Sequence, residues 1–167
     1  MLTPIVFWGA KGHAKVLREF AGRCGYELVA VFDNDPHIAP PFGDVPLYYG
    51  RAGFAAWRQA HPDLRAACAV AIGGARGRDR VALLELLAGD GLTPATLLHP
   101  SAVIAADARI APGAQVLAGA VLSVEVTLGK ASIINTSASV DHESVLGEGV
   151  HVAPGATLAG RVTVGDY

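Results

Sequence analysis

Hydrophobic and polar positions change their period partway along the chain. Up to about residue 98, short apolar runs alternate with stretches of helical spacing. PIVFWG (4–9) is an apolar run closed by glycine, the pattern of a buried strand. GHAKVLREFAGR (12–23) puts Ala14, Leu17 and Ala21 on one helical face, with Lys15, Arg18 and Arg23 elsewhere. LVAVFDND (28–35) reads as a second strand that opens into a proline-rich loop over 36–46. ACAVAIGG (67–74) reads as a third strand, GRDRVALLELLAG (77–89) as a helix and TPATLLH (93–99) as the closing strand. Strands alternating with helices predict an α/β unit with a small parallel sheet of βαβ type.

From residue 102 the period is six. AVIAAD, ARIAPG, AQVLAG, AVLSVE, VTLGKA, SIINTS, ASVDHE, SVLGEG, VHVAPG, ATLAGR and VTVGDY follow without interruption. The third place is always aliphatic: Ile104, Ile110, Val116, Leu122, Leu128, Ile134, Val140, Leu146, Val152, Leu158, Val164. The first place is always Ala, Ser or Val. Neither an amphipathic helix nor an ordinary meander has this period. It predicts a parallel β-helix, in which each repeat is a short strand plus a turn and stacked neighbours build the core. At about 18 residues per three-sided coil, the run makes fewer than four coils. The expected division is an α/β domain over 1–98 and a β-helix over 99–167.

Composition narrows the function classes. A content of 51% hydrophobic and 17% charged residues, with 20 glycines and net charge −2, fits a soluble globular protein rich in turns. It carries no electrostatic bias toward nucleic acid or an anionic membrane. A chain of 167 residues buries enough surface to need no staple. Cys24 and Cys68 form neither a disulfide framework nor a metal motif, which suits a reducing compartment. MLTPIVFWGAKGHAKV lacks the charged region and long apolar core of a signal peptide, and no apolar stretch approaches the roughly 20 residues of a membrane span. The expected location is cytoplasmic, with no membrane insertion.

Against this background Asp141, His142 and Glu143 stand out. Places four to six of other hexads read APG, LAG or GEG, and Pro and Gly there mark a corner of the coil. The three titratable residues share that phase, so they are expected at a turn, clear of the apolar interior. His151 lies between inward-phase Val150 and Val152 and is expected to point outward, making both histidines surface groups. Asn135 is polar at the phase of Asp141, one hexad earlier, and suits either an acceptor site or a stacked Asn ladder. In the first half, Gly9-Ala-Lys-Gly12-His13 falls between the first strand and its helix, where backbone amides at a helix N-terminus suit a diphosphate. The full G-x-G-x-x-G spacing is missing, which disfavours NAD. Asp33, Asn34 and Asp35 close the second strand, where dinucleotide folds carry a ribose-binding acid.

GAKGHAKVL (9–17), VFDND (31–35), AIGG (71–74), LLHPSA (97–102), NTSASVDHE (135–143) and HVAPGATLAG (151–160) resemble the bacterial sugar acetyltransferase family with hexapeptide repeats. It contains nucleotide-aminosugar N-acetyltransferases and sialic acid O-acetyltransferase-like enzymes. The resemblance spans the chain. It implies a left-handed β-helix behind a Rossmann-like, nucleotide-sugar-binding domain, with acetyl-CoA as acyl donor and no metal. It also implies homotrimers whose sites lie between neighbouring coils, to which outward apolar residues such as Leu117 and Val124 are suited. Family members continue through further coils to a C-terminal cap. This chain stops at VTVGDY, so it is expected to end short of that cap and of part of the donor site.

The family pattern makes His142 the general base and Glu143 its orienting partner, with Asp141 a lesser contributor. Acyl transfer needs a base for the acceptor's proton, imidazole titrates near neutrality, and a carboxylate can orient the ring. His151 matches a position that contacts acetyl-CoA near its thioester or pantetheine arm. Gly160 matches one where the cofactor runs along the backbone, or is a plain turn glycine. Gly9, Lys11, Gly12, His13, Asp33, Asn34, Gly73 and Gly74 fall to the sugar nucleotide. His13 contacts phosphate or sugar, and Lys11, where the family carries a small residue, contacts phosphate or only solvent. No cysteine sits where a nucleophile belongs, which favours direct transfer over an acyl-enzyme. The expected activity is acetyl-CoA-dependent acetylation of the amino group of a nucleotide-activated sugar, with UDP as the expected carrier, in bacterial surface-glycan synthesis. The alternatives are O-acetylation of a sialic-acid-type sugar and a non-catalytic nucleotide-sugar-binding or scaffold protein.

Overall fold

The structure, a computed structural model, describes residues 1–167. Its first half runs β1 (Thr3–Trp8), α1 (Gly12–Ala21), β2 (Tyr26–Asp33), β3 (Leu47–Tyr49), α2 (Gly50–Ala60), β4 (Ala67–Val70), α3 (Gly77–Gly89) and β5 (Thr93–Pro94). These form one parallel sheet of order β3-β2-β1-β4-β5. The central strand is apolar at consecutive positions because both of its faces are covered. Ile5 and Phe7 meet Ala14, Leu17 and Phe20 of α1, while Val6 and Trp8 meet Phe54 and Trp57 of α2 and Leu84 and Leu87 of α3. Pro94, which cannot donate to a ladder, sits on the edge strand.

Three of these elements differ from the sequence reading. The hexapeptide half was legible, but β3 and α2 were not expected. In GRAGFAAWRQA only Phe54 and Trp57 mark a buried face, and Gly50 and Gly53 dilute the helical signal. The closing strand expected over 93–99 divides. Thr93–Pro94 completes the sheet, whereas Leu97–Leu98 pairs with Gln115–Val116 as the first rung of the coil.

The coil therefore holds twelve two-residue strands, from Leu97–Leu98 to Thr163–Val164, one more than the eleven hexads counted from residue 102. They stack into three four-stranded parallel sheets. Pairing runs in steps of one coil, Leu97↔Gln115↔Ile133↔His151 on one face. The second face stacks Val103, Val121, Ser139 and Thr157, and the third Arg109, Thr127, Val145 and Thr163. Third-place residues such as Val116, Leu128, Val140 and Leu146 fill the interior. Every sixth residue from Gly113 to Tyr167 has positive φ, the corner conformation the hexad imposes. Where that residue is not glycine, as at Glu143 (φ 58°), the backbone carries left-handed strain.

The α/β unit covers only the first of the three faces. Leu97, Leu117 and Ile133 join the cluster of Ile5, Phe7 and Leu17. Leu117, expected on an outer face, is 1% exposed and lies beneath this unit. No helix is long and apolar enough to cross a membrane.

Candidate active site

In a sheet of this order, the connections on either side of β1 leave in opposite directions and open a crevice at the carboxyl ends of the strands. Segments following β1, β2 and β4 converge there around a cavity of about 620 Å³, lined by Gly9, Lys11, His13, Asp33, Asn34, Asp35, Gly73 and Arg76 among others. Gly9 is required by its place: its φ is +116°, and a β-carbon there would collide with the carbonyl of Ala71. Asp33 braces the rim, its Oδ2 accepting from the Ala10 amide (2.8 Å) and its Oδ1 from the Asp35 amide (2.9 Å). Lys11 Nζ lies 3.6 Å from Asp35 Oδ2 across the mouth, and both side chains are well exposed. Gly12 opens α1 but does not line the crevice, and Gly74 lines a separate pocket with His151.

His13 sits at the seam with the coil. Its Nε2 lies 2.6 Å from Oε1 of the buried Gln115, whose Nε2 donates to the Val70 carbonyl (2.8 Å). Burial holds the His13 pKa below the ordinary imidazole value, and the charge of Arg80 adds to the effect against the hydrogen bond to Gln115. Arg80, on α3, is fully buried with backbone carbonyls as its hydrogen-bond partners. It donates to Ile72 (3.3 Å) and Gly74 (2.9 Å) of the α/β unit and to Ala131 (3.0 Å) and Gly149 (2.5 Å) of the coil. Burial lowers its pKa to about 10, which leaves it charged at neutral pH.

His151 does not face open solvent as expected. Its face of the coil is the one the α/β unit covers, so the ring is half-buried beside Gly74, Gly149 and Val150 in a pocket of about 240 Å³. Asn135 Nδ2 donates to its Nε2 (2.9 Å), an orientation fixed because Asn135 Oδ1 accepts from the Thr136 amide (2.8 Å). Asn135 is thus a partner of His151, not a member of an Asn ladder. Burial first, then the charges of Arg80 and His13, hold the His151 pKa low, opposed by a backbone hydrogen bond at Gly74.

Asp141, His142 and Glu143 occupy the corner between Ser139–Val140 and Val145–Leu146, which belong to the second and third faces. Glu143 Oε2 is 2.9 Å from His142 Nδ1 and also accepts from Arg161 Nε at 2.9 Å. Arg161 first, then His142, holds the Glu143 carboxyl below the usual carboxylate range. An ionised carboxylate against Nδ1 fixes the proton on that nitrogen and leaves Nε2 with a free lone pair, the form a general base requires. Asp141 Oδ1 accepts from the His142 amide (2.7 Å) and shapes the turn. Gly160, one coil beyond His142, lies against the ring: a β-carbon there would overlap Nε2 and fall 2.6 Å from Cε1. The glycine therefore seats the histidine.

The two sites lie apart within one protomer. The crevice stands over the first face, whereas His142 occupies the edge between the other two and lines neither cavity. That edge and its faces carry exposed apolar side chains, Val103 (63%), Val124 (51%) and Val145 (45%).

Residues 4–83 match the family described as the PglD N-terminal domain. Over 99% of its length the chain superposes on 76% of GDP-perosamine N-acetyltransferase from Caulobacter crescentus, with TM-score 0.87 and 33% sequence identity. That structure is a histidine-to-alanine variant bound to CoA and GDP-perosamine. The chain belongs to the bacterial sugar N-acetyltransferase family with hexapeptide repeats. The acetyltransferase domain of PglB from Neisseria gonorrhoeae FA1090, solved with acetyl coenzyme A, is 29% identical and has TM-score 0.78, with 95% of this chain and 74% of that one covered. No curated protein matches at a significant level. The coil is the left-handed β-helix of these acetyltransferases, and the protein is an acyltransferase.

For this sugar N-acetyltransferase family member, sequence reasoning missed Arg161, Gln115, Arg80 and Arg76. Arg161 was within reach, because it follows Glu143 by the 18 residues of one coil and stacks on it. Gln115 also had a signal, being the polar residue at a strand position between Leu97 and Ile133 on one face. Arg80 had none, since its partners are backbone groups up to 69 residues away.

Proposed function

We propose that the protein transfers an acetyl group from acetyl-CoA to the amino group of a nucleoside-diphosphate sugar, with His142 as the general base. The observation that carries this reading is the Arg161–Glu143–His142 relay, which leaves a lone pair on His142 Nε2 at a corner of the coil. In the step proposed, Nε2 takes a proton from the amine as its nitrogen attacks the thioester carbonyl. Glu143 stabilises the imidazolium, and collapse of the tetrahedral intermediate expels the CoA thiolate. His151, held by Asn135, suits a contact to the acyl donor, and the donor's arm would pass Gly160 only on the side away from the His142 ring.

The crevice suits the sugar nucleotide. The first turn of α1 has no side-chain cap and no acidic residue, and Lys11 and Arg76 line the same cavity beside Asp33 and Asp35, so a diphosphate has two cations and a helix N-terminus to meet there. Because the crevice and His142 are on different sides of a protomer, the reading requires a neighbouring copy to bring its His142 to the crevice. The exposed valines on the uncovered faces support a homotrimer of this kind. The Caulobacter relative was solved with GDP-perosamine, so UDP and GDP are both carriers to test.

The test combines two readouts. One of the two diphosphates raises Tm, and the corresponding aminosugar conjugate gives an N-acetyl product by mass and NMR, with loss of at least about 10²-fold in kcat for His142→Ala. An O-acetyl product, or unchanged turnover in His142→Ala, overturns the assignment.

A further inference from the structure

Gln115 is a coil residue with 1% exposure, yet its side chain serves the α/β unit. Its Nε2 donates to the Val70 carbonyl (2.8 Å), which can only accept. The other end of the amide, Oε1, therefore faces His13 Nε2 at 2.6 Å, and an amide oxygen can only accept. The proton between them belongs to His13, so the ring carries hydrogen on Nε2. Burial and the nearby positive charge of Arg80 oppose a second proton. Nδ1 is left with a bare lone pair. Gly73, which lines the crevice with His13, stands beside that edge of the ring: a β-carbon built on it would lie 3.8 Å from Nδ1 and from Cγ.

A neutral ring with a bare Nδ1 accepts hydrogen bonds, and phosphate oxygens at neutral pH accept as well. The two do not pair. We propose that Gln115 is a positioning residue that holds His13 in the Nε2–H form, so that His13 accepts a hydrogen bond from an O–H or N–H of the sugar and makes no contact with the diphosphate. The diphosphate falls instead to the start of α1, Lys11 and Arg76. This rests on the reading of the crevice as the sugar-nucleotide site. It also means that a coil residue sets the hydrogen-bonding sense of the domain it supports.

Long-range ¹H–¹⁵N spectra of the histidine rings in the full chain test the tautomer directly, with His13→Ala to assign the signals. The expected result is a protonated Nε2 and a bare Nδ1 on His13 at neutral pH, and a mixture of tautomers in Gln115→Met. A His13 ring protonated on Nδ1 overturns the proposal. Binding tests its consequence, using whichever of UDP or GDP raises Tm, alone and as its aminosugar conjugate. His13→Ala should weaken the conjugate about tenfold, the worth of one hydrogen bond of about 1.4 kcal/mol, and leave the bare diphosphate within about twofold. Gln115→Met, which only mixes the tautomers, should weaken the conjugate about twofold, by the share of rings that lose the Nε2–H form. Equal losses for both ligands mark a phosphate contact and overturn the proposal. If neither conjugate binds the unaltered protein, the nucleotide reading falls and the sugar contact with it, while the ring spectrum still decides the tautomer.

Discussion

His142 and Gly160 form one unit although they are 18 residues apart. The ring of one occupies the space that a side chain on the other would fill. Gly160→Ala should therefore push the imidazole off its line with Glu143 without straining the backbone, since Gly160 is absent from the positive-φ positions. The expected outcome is a drop of about 10²-fold in kcat, the typical cost of a 1 Å misplacement, with Tm changed by less than about 2 °C. Steady-state kinetics and a melting curve check both parts. The period of six disclosed the corner that holds Asp141, His142 and Glu143, because each corner repeats the environment of the last. It did not disclose why position 160 is glycine. That needed the length of a coil, which turns a sequence separation into a stacking contact.

At the scale of elements, the seam between α3 and the coil depends on Arg80. A buried guanidinium without a carboxylate is costly, and here four carbonyls from two structural units offset the loss of water. Arg80→Met leaves those carbonyls unpaired and should cost about 3 kcal/mol, lowering Tm by roughly 10 °C in a chain of this size. Differential scanning fluorimetry reads the change. The seam should also respond to acid. His13 and His151 both have pKa values below the ordinary imidazole value in the folded protein. Between that ordinary value, about 6.5, and the lower folded value, the unfolded chain binds more protons. Stability is thus full above about pH 6.5 and falls as the pH drops below it, which Tm measured from about pH 7.5 to about pH 5.5 will show. Period and strand alternation place Gln115 and His151 on one face, but no local pattern tells which face a neighbouring domain will cover. His151 was for that reason read as outward, and Leu117 as available to a partner.

For the whole molecule, the arrangement of faces matters most. The α/β unit occupies one side of a three-sided coil, and His142 stands on the edge opposite. The crevice and His142 are proposed as two halves of one acetyl-transfer site, completed only between protomers. Co-expression of two defective chains tests this most directly. His142→Ala removes the proposed base, and Gly73→Trp fills the crevice at a position where the nearest neighbour of an added β-carbon is the His13 ring, 3.8 Å away. Each variant alone should be inactive. In randomly mixed trimers, about a quarter of the sites join an intact crevice to an intact neighbouring His142, so about a quarter of full activity should return. Activity that stays at the level of the separate variants, in mixed oligomers verified by mass, would contradict the shared site.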